Sequence, residues 1–274
     1  MFSLLGDLGN ANARSMGMIQ KLAQDGDIDL IHHVGDYAYD LNSDLGSVGD
    51  HYDLDKVHFI SFTTEVYYYY VVYGLASAQT QYNWLVQDLA KANSNRKNVP
   101  WIVTIGHRPM YCSNKDCVNL ESNVRTGIPI THLYALEDVF YQFGVDLCFW
   151  GHEHAYERMF PVYNRTIYNG TVSPYVDPPA PVHITSGSAG CIEQTDSFTQ
   201  NPEPWSAFRS TNYGFGLFRV YNETHARFRQ VAAGTGQTED EVWIVKSQHG
   251  PYGSNGLKML KAFGKYVPVN HTEF

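Results

Sequence analysis

Apolar residues come in short runs along this chain, and four of those runs stop at a glycine followed by an acid or a histidine. Residues 2–5 run into Gly6-Asp7, residues 28–34 into Gly35-Asp36, residues 101–105 into Gly106-His107 and residues 145–150 into Gly151-His152. Short apolar runs bounded by turn signals predict buried strands. Between them the period becomes helical. Met16, Ile19, Leu22 and Ala23 share one face within 10–24, as do Tyr82, Leu85, Val86 and Leu89 within 79–93, and 131–143 predicts a third helix. Strand, helix and strand in alternation predict βαβ units and a parallel sheet. Beyond about Pro181 the texture changes: 182–186, 214–221, 226–231 and 242–246 predict an antiparallel β region packed on that sheet.

One connection breaks the pattern. Residues 57–62 predict another strand, but the roughly twenty residues before it are polar and have no helical period. A parallel crossover needs about a dozen residues or more and usually carries a helix. A long structureless loop in its place is a warning. The expectation is that a block holding a helix and a strand is absent, with the join near Asp50-His51, so that Asp50, His51 and Asp53 are solvated linker residues.

Composition narrows the classes. Of 274 residues, 43% are hydrophobic and 17% charged, which predicts a globular chain. The net charge of -9 argues against a nucleic-acid partner. A small phosphate held by metal stays compatible, because the metal charge inverts the local field. The longest apolar run, 67–76, is too short to span a bilayer. The opening MFSLLGDLGN has neither a basic start nor a small-residue cleavage site, so no signal peptide is expected. It reads as a strand already under way, which predicts a chain incomplete at that end. Asn164, Asn169, Asn222 and Asn270 stand in N-x-T sequons, weak support for a secretory route because chance supplies some. Of four cysteines, Cys148 reads as a buried small hydrophobe. Cys112 and Cys117 flank a short polar loop, where a small disulfide and free thiols both stay open.

The candidate chemistry sits at the strand ends. In open α/β sheets the carboxyl ends of the strands form the ligand crevice. Asp7, Asp36, His107 and His152 would meet there, each behind a glycine that lets the backbone turn sharply. His154 adds a fifth group and Tyr39 a sixth. Carboxylate and phenolate suit a trivalent metal, and imidazole suits divalent zinc, iron or manganese. A pair of metals clamps a phosphate ester and lowers the pKa of water. Taken singly, each residue has an ordinary alternative: a helix cap for Gly-Asp, a turn for GHEH, packing for Tyr39 in a chain with 20 Tyr. Together, at four strand ends, they are far more specific. Arg108, Tyr156 and Arg158 lie near these positions, with crevice lining and plain packing both open.

GDLG, GDYAY, GHRPMYCSN and FWGHEHAYERMFPVYN resemble the purple acid phosphatases, within the calcineurin-like metallophosphoesterases. PVHITSGSAGC and VWIVK resemble that family's C-terminal segment, particularly in its animal high-molecular-weight branch. The resemblance implies an α/β fold: a metallophosphoesterase β-sandwich flanked by helices, incomplete in the first half, with a C-terminal antiparallel β region. It divides the chain into a phosphoesterase domain over 1–160 (a segment missing near 40–56), a C-terminal region over 181–248 and a tail over 249–274. It implies Fe(III) held by Asp7, Tyr39 and His154, a divalent metal (Zn, Fe or Mn) held by His107 and His152, and Asp36 bridging. Asp36, His107 and His152 would then be the catalytic residues, acting on small phosphate monoesters or phosphoproteins. Tyr39 speaks against a phosphodiesterase or protein phosphatase of the same superfamily. The resemblance also implies a secreted or lysosomal glycoprotein, favours a Cys112–Cys117 disulfide and leaves a homodimer open. The family's Gly-Asn-His-Glu block occurs nowhere here, and its N-terminal domain has no counterpart. An alternative expectation is thus a non-catalytic truncated or splice form that binds metal partially or not at all.

Overall fold

The computed structural model describes residues 1–8, 13–35, 49–115, 122–191 and 193–253. The chain opens with β1 (Phe2–Leu5), α1 (Met16–Gln24), β2 (Leu30–His33), β3 (Gly49–Leu54) and β4 (Val57–Phe62). Three consecutive helices follow, α2 (Glu65–Tyr68), α3 (Tyr70–Tyr73) and α4 (Leu75–Ser94). Then come β5 (Trp101–Ile105), α5 (Asn123–Thr126), α6 (Glu137–Phe143), β6 (Leu147–Trp150), β7 (Tyr156–Met159), β8 (Val162–Tyr163) and β9 (Thr166–Ile167). The last strands are β10 (Val182–Ser186), β11 (Ser206–Ser210), β12 (Gly214–Val220), β13 (His225–Ala232) and β14 (Thr238–Val245).

Two sheets face each other. One has the order β14-β13-β12-β1-β2, the other β11-β7-β10-β6-β5-β4-β3. In the larger sheet β4, β5, β6 and β10 are parallel, β3 and β7 run against them, and β11 pairs antiparallel with β7. Alternation along each strand sorts its side chains between two cores. Phe59, Val103, Phe149 and Ile184 point at the smaller sheet, where they meet Phe2, Phe218, Phe228 and Ile244. Ile60, Ile102, Cys148 and Trp150 point the other way, onto Leu85 and Leu89 of α4 and Phe140 and Phe143 of α6. Strands buried on both faces need apolar residues on both, which is why the sequence shows unbroken runs there. On the outer face of the smaller sheet, Ile19 of α1 packs with Leu5, Phe215 and Val231. The result is the helix-flanked β-sandwich that the sequence predicts.

Three expectations change. The stretch expected to be linker contains β3, which forms a hairpin with β4 across a two-residue turn; Leu54 faces Val57 and Asp55 takes a positive φ of 53°. Its residues alternate: Tyr52 stacks on His32, while Asp53 bonds His58. A short, charged strand suits a sheet edge. Second, β2 and β4 lie in different sheets, so the link between them is no parallel crossover, and that argument for an absent block falls. Third, residues 182–186 do not join the antiparallel region. As β10 they lie within the larger sheet, parallel to β6 on one side and antiparallel to β7 on the other. β12, β13 and β14 form the antiparallel meander. The predicted helix over 131–143 is confined to Glu137–Phe143, and that over 79–93 starts earlier, at Leu75.

Candidate active site

Four of the six predicted site residues lie among the described residues, and they converge. Asp7, on the turn after β1, is fully buried with a positive φ of 53°. Its Oδ2 accepts a hydrogen bond from the backbone N–H of His152 at 2.8 Å. Its Oδ1 lies 3.6 Å from His154 Nε2. His152, on the turn after β6, also has a positive φ, 69°. For a non-glycine residue that is a costly conformation, found mostly where surrounding structure imposes it. The turn itself has no space for a side chain: a Cβ on Gly151 would lie 2.9 Å from Asp7 Oδ2. His107, at the end of β5, sets its ring 5.0 Å from that of His152, edge to face. Asp36 and Tyr39 lie outside the described residues, as do Cys117 and Asn270.

Of these groups His107 and His152 open onto a cleft of about 600 Å³, lined also by Arg108, Asp50, Thr64 and Glu65, among others. Glu65 and Thr64 escape the sequence reading, which sought a glycine before each site residue. The strand-end rule alone would have found them, since they follow the carboxyl end of β4. Of the three flanking residues left open, Arg108 lines the cleft. Tyr156 and Arg158 instead turn to Asp240 inside the protein.

Hydrogen bonding sets the imidazole tautomers. His107 Nδ1 donates to the Val34 carbonyl at 2.9 Å, so in the neutral ring Nε2 keeps its lone pair. Arg108 Nη1 donates to His152 Nε2 at 3.0 Å, so that nitrogen is also an acceptor. Burial, reinforced by Arg108, His107 and His154, pushes His152 down to about 3. It is neutral across the acid range, as a ligand must be. His154 behaves oppositely. Burial alone would lower it, but its bonds to Asp7 and Cys191 raise it to about 11. A carboxylate and imidazoles are a donor set of the kind that fits iron or zinc, and as placed His154, held in its charged form beside Asp7, would give up a proton on binding. Among the described residues no three acid, histidine or cysteine side chains stand close enough, as placed, to hold an ion by themselves.

Comparison with known proteins assigns the class. Residues 39–156 match the family model for calcineurin-like phosphoesterases, and residues 180–241 that for the iron/zinc purple acid phosphatase-like protein C. The first match holds Tyr39, His107, His152 and His154; Asp7 and Asp36 precede it. The chain is 43% identical to acid phosphatase type 7 of Danio rerio, over 91% of this chain and 69% of that one. It is 40% identical to acid phosphatase type 7 of Homo sapiens, over 90% and 68%. The fold matches that of a purple acid phosphatase from yellow lupin seeds with a TM-score of 0.72 at 18% identity, over 89% of this chain and 53%, about half, of that one. The protein belongs to the purple acid phosphatases, a branch of the calcineurin-like phosphoesterases, and by family it is a hydrolase. The zebrafish alignment runs over 305 positions but takes in 91% of this chain, about 249 of its 274 residues, which leaves about 56 positions facing none.

Proposed function

We propose that this chain is built to hydrolyse phosphate monoesters in acid at a dinuclear Fe(III)–divalent metal centre. Asp7, Tyr39 and His154 would hold the ferric ion, His107 and His152 the divalent one, and Asp36 would bridge. The observation that carries this reading is the chain of contacts from His107 to His152 to Asp7 to His154, the first two lining the cleft and the last two buried behind it, with the Nδ1–H of His107 engaged by a backbone carbonyl. The metal pair, when bound, supplies charge neutralisation for the phosphoryl group and acidifies water. The chain's own part is to orient donors. The Val34 carbonyl fixes the His107 ring, and Asp7 Oδ2 pins the turn after β6 by accepting the His152 backbone N–H.

Family membership supports the rest of the reading. It favours a secreted or lysosomal glycoprotein with a Cys112–Cys117 bridge and small phosphate esters or phosphoproteins as substrates, and leaves a homodimer open. Asn164, Asn169 and Asn222 are exposed, as glycan acceptors must be. Among the described residues no helix is long and apolar enough to cross a membrane.

A second reading has its own observation. The Gly-Asn-His-Glu tetrapeptide is absent from the sequence, and the relatives' extra positions leave room for the block that would carry it. On this reading the chain is a non-catalytic truncated or splice form that binds metal partially or not at all. Hydrolysis of p-nitrophenyl phosphate from pH 4 to 8, with metal content measured alongside, separates the two. Activity in acid that Asp36→Ala abolishes supports the first reading. Wild-type activity no greater than that of Asp36→Ala supports the second.

A further inference from the structure

Arg108 has more partners than a surface ion pair needs. Its Nε and Nη2 donate to the two carboxylate oxygens of Glu65 at 2.9 and 3.2 Å, while Nη1 donates to His152 Nε2 at 3.0 Å. Its Cζ lies 4.6 Å from the centre of the Tyr68 ring and 5.8 Å from that of Tyr69. The backbone beneath is tied down as well, with the Arg108 N–H donating to Thr64 Oγ1 at 3.0 Å. The side chain is 21% exposed, and what it exposes lines the cleft that His107 and His152 also line.

The Glu65 clamp accounts for two of these hydrogen bonds and sets the plane of the guanidinium. It does not account for the third. Nη1 donates to Nε2 of His152, a residue that would hold the divalent metal. A phosphate oxygen entering the cleft would offer Nη1–H a charged acceptor in place of that neutral one. A guanidinium offers five N–H donors, and the bonds to Glu65 and His152 use three of them. The remaining donors form a planar fork of the kind that matches phosphate oxygens. Tyr68 and Tyr69 limit where that fork can swing, so little rotational freedom is lost on binding.

We propose that Arg108 is the phosphate-recognition residue of this cleft, exchanging its bond to His152 for a non-bridging oxygen of the bound phosphate ester. Glu65 is the positioning residue that holds it. The inference rests on the phosphatase reading above, since it takes the cleft to be where a phosphate sits.

The test uses the full chain as purified and inorganic phosphate as the probe, followed by titration calorimetry. Metal content, thermal unfolding and p-nitrophenyl phosphate kinetics are measured on the same samples. Arg108→Gln is expected to weaken phosphate binding about 10–100-fold, the range of a charge-assisted bond, with metal content retained. In kinetics KM rises more than kcat falls, and Arg108→Lys recovers part of the loss. Phosphate affinity unchanged in Arg108→Gln overturns the proposal, whatever happens to its stability, because that is the result of a purely structural ion pair. Absence of phosphate binding in the wild type overturns it as well. Should Arg108→Gln fail to fold, Arg108→Lys carries the same comparison, with weaker phosphate binding expected. Asp7→Asn tests the phosphatase reading separately. Wild-type metal content and turnover in that variant would sink the assigned centre, while the calorimetric result at Arg108 keeps its own meaning.

Discussion

Replacing Gly35 by alanine isolates the contribution of one backbone position to the site. Gly35 has φ +115°, and a Cβ there would lie 2.1 Å from His107 Nδ1, 2.6 Å from Cγ and 2.9 Å from Cε1. No side-chain contact is tolerated at such distances, so the imidazole must move. Moving it breaks the 2.9 Å bond to the Val34 carbonyl, worth about 1 kcal/mol. Holding alanine at positive φ adds about 1–3 kcal/mol of strain. The total, about 2–4 kcal/mol, corresponds to a Tm lower by roughly 3–8 °C for a chain of this size. The protein still folds, but its donor nitrogen is displaced. Misplacing a reacting group by about 1 Å costs about 100-fold in rate, and disturbing a ligand's orientation costs about 10–100-fold in metal affinity. Gly26→Ala is the matched control, because Gly26 also has positive φ, +74°, with nothing within 4 Å of the added carbon. It should lose about 1–2 kcal/mol of stability and keep its metal. Metal per chain by mass spectrometry, p-nitrophenyl phosphate turnover and thermal unfolding are compared for both variants. Wild-type metal content in Gly35→Ala would refute the reasoning, as would equal loss of metal in Gly26→Ala.

Two further predictions concern buried charge. Asp146, fully buried, is bonded by Lys246, by Arg96 Nη1 at 2.7 Å and by the N–H of Ile102 at 2.8 Å. Asp146→Asn leaves those cations without their counter-charge and should cost about 3–5 kcal/mol, read by denaturant unfolding at pH 6. Burial alone would raise the Asp146 carboxyl, but Lys246 and Arg96 hold it well below the usual carboxylate range. Its contribution is present above about pH 4 and declines as pH falls further, so the gap between variant and wild type should narrow in strong acid. A wild-type Tm in Asp146→Asn at pH 6 would contradict this account. His58 bonds Asp88 at 2.8 Å through Nε2 and Asp53 at 2.6 Å through Nδ1, tying β4 and β3 to α4. Burial opposes its protonation, yet the two carboxylates raise its pKa above the usual value. That stabilisation is complete below about pH 6.5 and is lost as pH rises through the raised value. His58→Gln should lower stability at pH 5 by about 1.5–3 kcal/mol and less at alkaline pH. An equal loss at both pH values would show that packing, not charge, is at stake.

The positions of Asp7, His107, His152 and His154 were legible from the chain alone. Asp7, His107 and His152 each follow an apolar run, with His154 two residues beyond the last; a run buried on both faces reads as an interior strand, so its terminal turn falls at the sheet edge. The helix face of α4 was legible for a similar reason, since the 3.6-residue period is a local property. The rest was decided by tertiary structure. Alternation says that Phe59 and Ile60 face opposite ways, but not which sheet each will meet. The assignment of β2 and β4 to different sheets, and of β10 to the parallel set, was therefore hidden. β3 was hidden because GDHYDL has few apolar residues. It becomes a strand only when Tyr52 finds His32 and Asp53 finds His58. Glu65, Arg108 and His152 likewise meet only in the folded chain. Hydrophobic burial is driven by composition and period and can be read locally, whereas a polar contact depends on a partner whose distance along the chain carries no signal.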